Sequence, residues 1–258
     1  MPITKRILWI NPVATNIYDQ IFKDELESIK DKNTIVDVIS FEAPNGPTHL
    51  EYNCYEAMMI PNIVNAVMKA EQDGYDAAVI GCFYDPALRA AREVAKKMVV
   101  TAPAEASLHI AATLGESISI IVGRKKWIPE MKENVFKYGF GHKLASFQSV
   151  ELGVHDFQKD HNVTANRILE AAREAITRDH ADVIVLGCTL EFGFYKKIQE
   201  ELGVPVIDAS VAPFKYAEFL VELNQRFNWR HSKIMGYQSP PEDEVNECRI
   251  FDQEIFIK

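Results

Sequence analysis

The sequence predicts an α/β protein built of two pseudo-symmetric, doubly wound halves, each with a small, mainly parallel sheet. Three observations carry this reading. Short apolar runs rich in β-branched residues recur along the chain, helical patterns fall between them, and one strand-and-loop pattern occurs twice. Buried parallel strands read as near-continuous apolar runs because helices cover both faces of their sheet.

In chain order the strands are expected at Ile7–Ile10, Ile35–Ser40, Ala77–Gly81, Met98–Val100, Ile118–Val122, Val183–Gly187 and Pro205–Ile207. Helical periodicity places helices at Ile60–Gln72, Pro86–Lys97, Ala165–Arg178, Tyr195–Glu201 and Phe214–Asn224, with a further helix-like apolar run at Ala106–Leu114. Asp85 followed by Pro86 reads as a cap and first residue of a helix. From Asn228 onward the chain changes character. Tyr237-Gln-Ser-Pro-Pro-Glu-Asp-Glu lacks periodicity and reads as loop, Cys248–Ile257 alternates weakly as a last strand would, and the segment is expected to pack on the surface or on a neighbouring subunit.

The repeat is the most informative feature. Asp76-Ala-Ala-Val-Ile-Gly-Cys82 and Asp182-Val-Ile-Val-Leu-Gly-Cys188 align without a gap at an offset of 106 residues (188 minus 82). The same offset sets Val100-Thr101-Ala102 opposite Val206-Ile207-Asp208, and Ile7–Ile10 has its counterpart in Ile118–Val122. Two similar halves of roughly 110 residues suit a chain of this length.

Composition narrows the function. The 258 residues carry 28 Lys and Arg against 37 Asp and Glu, a formal net charge of −9, with 47% hydrophobic residues. That balance argues against nucleic-acid binding, which needs clustered cations to displace counterions. No apolar run approaches the roughly 20 residues of a membrane-spanning helix, and the opening run Ile7–Ile10 is too short for a signal peptide. A cytoplasmic protein with a small-molecule substrate and no membrane or nucleic-acid partner is expected. The four cysteines, Cys54, Cys82, Cys188 and Cys248, are then free thiols, and neither a CxxC pair nor a zinc-spaced His cluster argues for a metal.

Gly81-Cys82 and Gly187-Cys188 both fall at strand ends, and ligands of open α/β sheets bind outside the carboxyl ends of strands. If the halves are related by a pseudo-twofold axis, the two thiols face each other across the cleft between them. One thiolate would take a proton from a carbon acid and the opposing thiol return one on the other face, giving racemisation without metal or cofactor. A thiol with pKa about 8.5 is only slightly ionised at neutral pH, and a helix N-terminus after each cysteine would help, with Thr189 as a cap after Cys188. Cys54 and Cys248 lack such placement and read as structural. Asn11, ending the first strand, is a candidate for binding a polar substrate edge. Phe83 and Tyr84 are candidates for an apolar pocket wall, and Asp85 reads as a cap rather than an acid catalyst. His109 reads as a satisfied histidine, Glu105 as a loop anchor, and Asp208 as a cap on the turn beyond its strand.

These residues resemble the hydantoin/allantoin racemases, a branch of the aspartate/glutamate racemase superfamily, from about Ile7 to Leu223. Ile10-Asn11-Pro12 with Thr15 resembles the opening strand and substrate loop. Gly46-Pro47, Glu51, Tyr55-Glu56-Ala57 and Pro61 match the segment after the second strand. Gly81-Cys82, Asp85-Pro86, Leu88 and Ala91-Arg92-Glu93 match the first cysteine motif. Glu105-Ala106, His109, Arg124, Pro129, Tyr138-Gly139, Val185-Leu186-Gly187-Cys188, Gly203-Val-Pro-Val-Ile-Asp208, Lys215 and Ala217-Glu218 complete the ordered set. The resemblance implies a cofactor-independent homo-oligomer with Cys82 and Cys188 as the catalytic pair. It places the site between a first domain of residues 1–100 plus 208–258, to which the C-terminal helix returns, and a second of residues 101–207.

The chain departs from the hydantoin racemases where Thr189-Leu190-Glu191 stands for Ala-Gly-Met and Val122-Gly123 for two threonines. These positions bear on the substrate. Thr189, Val122 and Gly123 join Asn11, Phe83 and Tyr84 as candidate substrate contacts. The apolar changes favour a 5-substituted hydantoin or allantoin over a free amino acid, while Thr189 and Glu191, in a Gly-Cys-Thr motif closer to the amino-acid racemases, pull the other way. An amino-acid racemase, a maleate-type isomerase or decarboxylase, and a small-molecule sensor are the alternatives.

Overall fold

A computed structural model describes residues 4–42 and 46–247. The expected strand at Cys248–Ile257, and Cys248 itself, lie outside the described residues. The chain divides into two compact units. One comprises the chain up to Gly81, Pro86–Ala102 and the chain from Phe214; the other comprises Cys82–Asp85 and Pro103–Pro213.

The first unit holds a sheet of β1 (Lys5–Ile10), β2 (Thr34–Ile39), β3 (Ala77–Ile80) and β4 (Val99–Thr101) in the order β2-β1-β3-β4, every pair parallel. The second holds β5 (Ile118–Val122), β6 (Leu144–Ser149), β7 (Val183–Leu186) and β8 (Val206–Ile207) in the order β6-β5-β7-β8, again all parallel. The two sheets therefore share one topology, and the repeat in the sequence corresponds to β3 and β7. In each sheet the winding reverses between the first and third strands, the switch point at which an α/β sheet opens a crevice. The strands flanking the two reversals are apolar for a physical reason: β3, β5 and β7 are wholly buried and β1 nearly so.

Seven of the eight strands fall where the apolar runs place them, within a residue or two. β6 was not expected. Its sequence, Leu-Ala-Ser-Phe-Gln-Ser, is half polar and largely half-buried because it is an edge strand, so it lacks the continuous apolar run of a central one. Four helices also lie outside the expected set or extend it: α1 (Asp19–Ile29), α4 (Pro103–Leu114), α5 (Ile128–Lys137) and α9 (Glu242–Glu247). The last begins inside the stretch Tyr237–Glu244 expected as loop, where three acidic residues in its first turn suit a helix N-terminus without any apolar periodicity. α2 runs over Asn53–Gln72 and carries Pro61 inside it. The remaining helices are α3 (Leu88–Val94), α6 (His161–Thr177), α7 (Tyr195–Leu202) and α8 (Val211–Phe227). No helix among the described residues is long and apolar enough to cross a membrane.

α8 is tied to the first unit by polar contacts as well as packing. Glu218, almost fully buried, accepts from the Asp31 N–H at 2.8 Å and the Thr34 hydroxyl at 2.5 Å, and pairs with Lys215. Lys215 in turn bonds Asp31, whose carboxyl is held down to about 2 by Lys215 and Lys5. The chain beyond Asn228 packs on the same unit. His231 accepts the Val100 N–H at 3.0 Å, the Arg92 guanidinium bonds the Val100 carbonyl and the Tyr237 hydroxyl, and Ser239 bonds the Glu93 carbonyl. Val100 belongs to the edge strand β4, so these side chains occupy backbone groups that an open sheet edge would offer to another chain.

The glycines that precede both cysteines are fixed by packing. A Cβ on Gly81 would stand 2.7 Å from the Trp9 indole, and one on Gly187 would stand 2.6 Å from the Ile121 carbonyl oxygen. Gly187→Ala is therefore expected to destabilise by about 1–3 kcal/mol through overpacking. A calorimetric midpoint lowered by several degrees would register it. Gly236→Ala, where the added carbon meets nothing within 4 Å, is the control and should leave the midpoint in place.

Candidate active site

The loop after β3 is built by long-range contacts. Gly81 N–H extends the ladder to the Ile10 carbonyl at 2.8 Å, and a turn closes where Asp85 N–H meets the Cys82 carbonyl at 2.9 Å. Gly81, Phe83, Tyr84 and Asp85 are buried, while Cys82 is partly exposed among them. Asn134 of α5 donates to the Tyr84 carbonyl at 2.7 Å. Asp85 does not cap α3, which begins only at Leu88. Both Asp85 and Ala87 adopt left-handed backbone conformations, with φ of 52° and 57°, and no helix can start between them. Its carboxylate instead caps α4, accepting from the Ala104 N–H at 2.8 Å and the Glu105 N–H at 2.9 Å, with the Tyr138 hydroxyl at 2.9 Å. Burial pushes the Asp85 carboxyl up to about 7 against the pull of those three donors. Two left-handed non-glycine residues beside a partly exposed thiol are the kind of strain that clusters at functional sites.

The loop after β7 repeats the setting with different parts. Gly187 N–H meets the Ile121 carbonyl at 2.7 Å. Cys188 follows in extended conformation, partly exposed between the buried Gly187 and Thr189. A single 3₁₀ turn, Thr189–Glu191, comes next, and Cys188 rather than Thr189 holds the cap position. The Cys188 N–H donates to Glu191 Oε2 at 3.0 Å, and the Glu191 N–H returns to the Cys188 carbonyl at 3.0 Å. The expected helix N-terminus after each cysteine is thus reduced to this one turn at Cys188. At Cys82 the nearest helix starts six residues later.

Asn11 lies at the carboxyl end of β1 with its amide engaged on both sides, accepting from the Trp9 indole at 2.7 Å and donating to Asp19 at 2.7 Å. Val122 ends β5 and Gly123 follows it. Val122 is wholly buried, and a Cβ on Gly123 would meet the Leu152 carbonyl oxygen at 2.4 Å. Phe83, Tyr84 and Thr189 are nearly fully withdrawn from solvent. His109 is exposed, with its ring bonded to the Glu105 carbonyl at 2.8 Å and set edge-on to Phe140. Cys54 is exposed in the first turn of α2, so it is not a core thiol. Asp208 caps the turn beyond β8 as expected, accepting from Ser210 and Val211. Among the described residues no group of three or more His, Cys, Asp or Glu side chains is disposed to hold a metal.

One part of the site is not legible in the sequence, and the part played by another residue, Glu191, is left open by it. The Asp85–α4–Tyr138 link joins residues 19 to 53 positions apart and leaves no local pattern. Glu191 does leave one: cap, two residues, then Glu is the capping-box spacing, here with cysteine where serine or threonine usually stands.

Twin parallel sheets of one topology, each ending its third strand in a tightly packed glycine and a partly exposed thiol, define a two-domain α/β protein of the cysteine-bearing racemase type. A family model described as Asp/Glu/Hydantoin racemase matches residues 7–217, and the chain belongs to that family. It is 34% identical over 238 residues to the hydantoin racemase of Paenarthrobacter aurescens, covering 92% of this chain and 98% of that one. It is 31% identical over 239 residues to the hydantoin racemase of Pseudomonas sp. (strain NS671), covering 93% of each. Among solved structures, the allantoin racemase from Klebsiella pneumoniae superposes with a TM-score of 0.85 at 27% identity, over 93% of this chain and 95% of that one. These relatives are isomerases, and the chain is an enzyme of that class.

Proposed function

We propose that the protein is a cofactor-independent racemase of five-membered cyclic ureides, with 5-substituted hydantoins ahead of allantoin, and that Cys82 and Cys188 are its two bases. In one direction a cysteine thiolate takes the proton from C5 of the ring, becoming a thiol. The electron pair left on carbon delocalises onto the adjacent carbonyl oxygen as an enolate. The second cysteine, a thiol at the outset, delivers its proton to the opposite face of C5 and becomes the thiolate. The product is the other enantiomer, and the enzyme is left poised for the reverse direction until its thiols exchange protons with water. Backbone N–H groups following each cysteine would hold the ring carbonyls and stabilise the enolate as charge develops.

The observation that carries this reading is the twice-repeated setting of the thiols. Each is partly exposed among buried neighbours, at the carboxyl end of the third strand of its sheet. Family membership supports the reaction class, and the relatives above 30% identity, all named for hydantoins, support the order of substrates.

The test is a polarimetric screen of enantiopure 5-alkyl- and 5-arylalkyl-hydantoins, allantoin, aspartate and glutamate, run in parallel in deuterated solvent. A substituted hydantoin should lose optical rotation and take up deuterium at C5, with little turnover of the amino acids. Robust racemisation of aspartate or glutamate with hydantoins inert would make Cys188-Thr189 the better guide to substrate and overturn the assignment.

A further inference from the structure

Glu191 lies three residues beyond Cys188 with its side chain wholly withdrawn from water. Its two oxygens are unequal. Oε2 accepts the Cys188 N–H at 3.0 Å, whereas Oε1 is buried with no hydrogen-bond partner. The charged group that acts on it is a second buried carboxyl, Asp208, whose own oxygens are taken by Ser210, Val211 and Gly193. Gln158 also reaches this turn, where its amide donates to the Leu190 carbonyl. A buried carboxylate with an unpartnered oxygen and a like charge beside it is costly, and both causes favour the acid form. Burial first, then Asp208, raise the Glu191 carboxyl well above its ordinary range. The proton belongs on Oε1, the oxygen that accepts nothing.

We propose that Glu191 is a positioning residue for Cys188: its side chain, as the neutral acid, holds the Cys188 N–H and its own N–H holds the Cys188 carbonyl, so that the extended backbone carrying the thiolate is fixed without a second negative charge beside it. An ionised carboxyl at this distance would oppose the thiolate. A neutral one fixes the same backbone without that penalty. Proton transfer at the substrate stays with the thiols. The proposal rests on the reading of Cys188 as one of the two bases.

The test reads Cys188 directly. In the full-length Cys82→Ser background, the rate of Cys188 alkylation by iodoacetamide is followed against pH by peptide mass spectrometry, with Glu191 intact, as Gln and as Ala. Glu191→Gln keeps a carbonyl oxygen for the Cys188 N–H and stays neutral, so the alkylation midpoint should hold within a few tenths of a unit. Glu191→Ala should raise it by about one unit, a tenfold loss of thiolate below the midpoint. With Glu191 intact, a second inflection should appear at high pH as the carboxyl ionises, and Gln should abolish it. In the enzyme with both cysteines, Glu191→Ala should lower kcat about tenfold with KM little changed, and Glu191→Gln should restore kcat. If Ala prevents folding, the comparison of Glu with Gln still decides. An unchanged midpoint in Ala, a raised midpoint in Gln, or identical high-pH curves for Glu and Gln would each overturn the proposal. Alkylation does not depend on turnover, so a failure of the two-thiol reading, seen as racemisation surviving Cys188→Ser, is distinguishable from a failure of this one.

Discussion

Cys82→Ser and Cys188→Ser should each abolish net racemisation, with losses on the order of 10³-fold or more. General acid–base catalysis by a positioned side chain contributes about 10²–10⁴-fold. Serine is a far weaker base than a thiolate and a poor acid at neutral pH, so neither half of the proton relay survives the change. The two variants need not behave alike towards hydrogen exchange. If each cysteine serves one face of the carbon, a single variant retains a base for one enantiomer and should still wash deuterium into it without inverting it. Chiral chromatography coupled to mass spectrometry separates the two processes. Near wild-type inversion of both enantiomers by either variant would end the two-thiol mechanism.

The largest stability effect is expected at Asp85. Its carboxylate serves two α4 amides and the Tyr138 hydroxyl. Asp85→Ala strands those donors and should cost about 2–4 kcal/mol, visible as a lowered midpoint in chemical denaturation. The pH dependence has the opposite sense to that of a salt-bridged aspartate. With its folded pKa raised to about 7, above an ordinary value of 3.8, Asp85 binds its proton more tightly in the folded chain. Its contribution to stability is therefore complete below about pH 4 and is lost as pH rises through about 7. Asp85→Asn does not titrate, so the difference between variant and wild type should move in the variant's favour from pH 5 to pH 8. A difference that stays flat across that window would show that the folded carboxyl titrates at its ordinary value.

What could be read from the sequence follows from how local its causes are. β3 and β7 were legible because a central parallel strand must be apolar throughout, and their shared Gly-Cys ending because no Cβ fits against Trp9 or the Ile121 carbonyl. β6 was hidden because an edge strand has no need of a continuous apolar run. The Asp85-Pro86 pair has the local form of a helix start. It misled because a competing cap, the first turn of α4, claims the carboxylate through the fold. The thiols were found by repetition; the groups that hold their loops were not, since Asn134 and Tyr138 act over fifty residues or more, and the part played by Glu191 is left open by its neighbours in sequence.

The three tryptophans of the chain sit in unlike surroundings, which has a spectroscopic consequence. Trp9 lies against Gly81 and is wholly buried, Trp127 lies against Gly123 and is almost so, and Trp229 is 66% exposed. Each sheet thus carries its own indole beneath the end of a strand at its winding reversal, while the third emits from a solvent environment. Blue-edge emission isolates the buried pair, and quenching by iodide removes the exposed one. Single replacements of Trp9 or Trp127 then give an intrinsic optical signal for one strand end at a time, with no dye attached to either thiol.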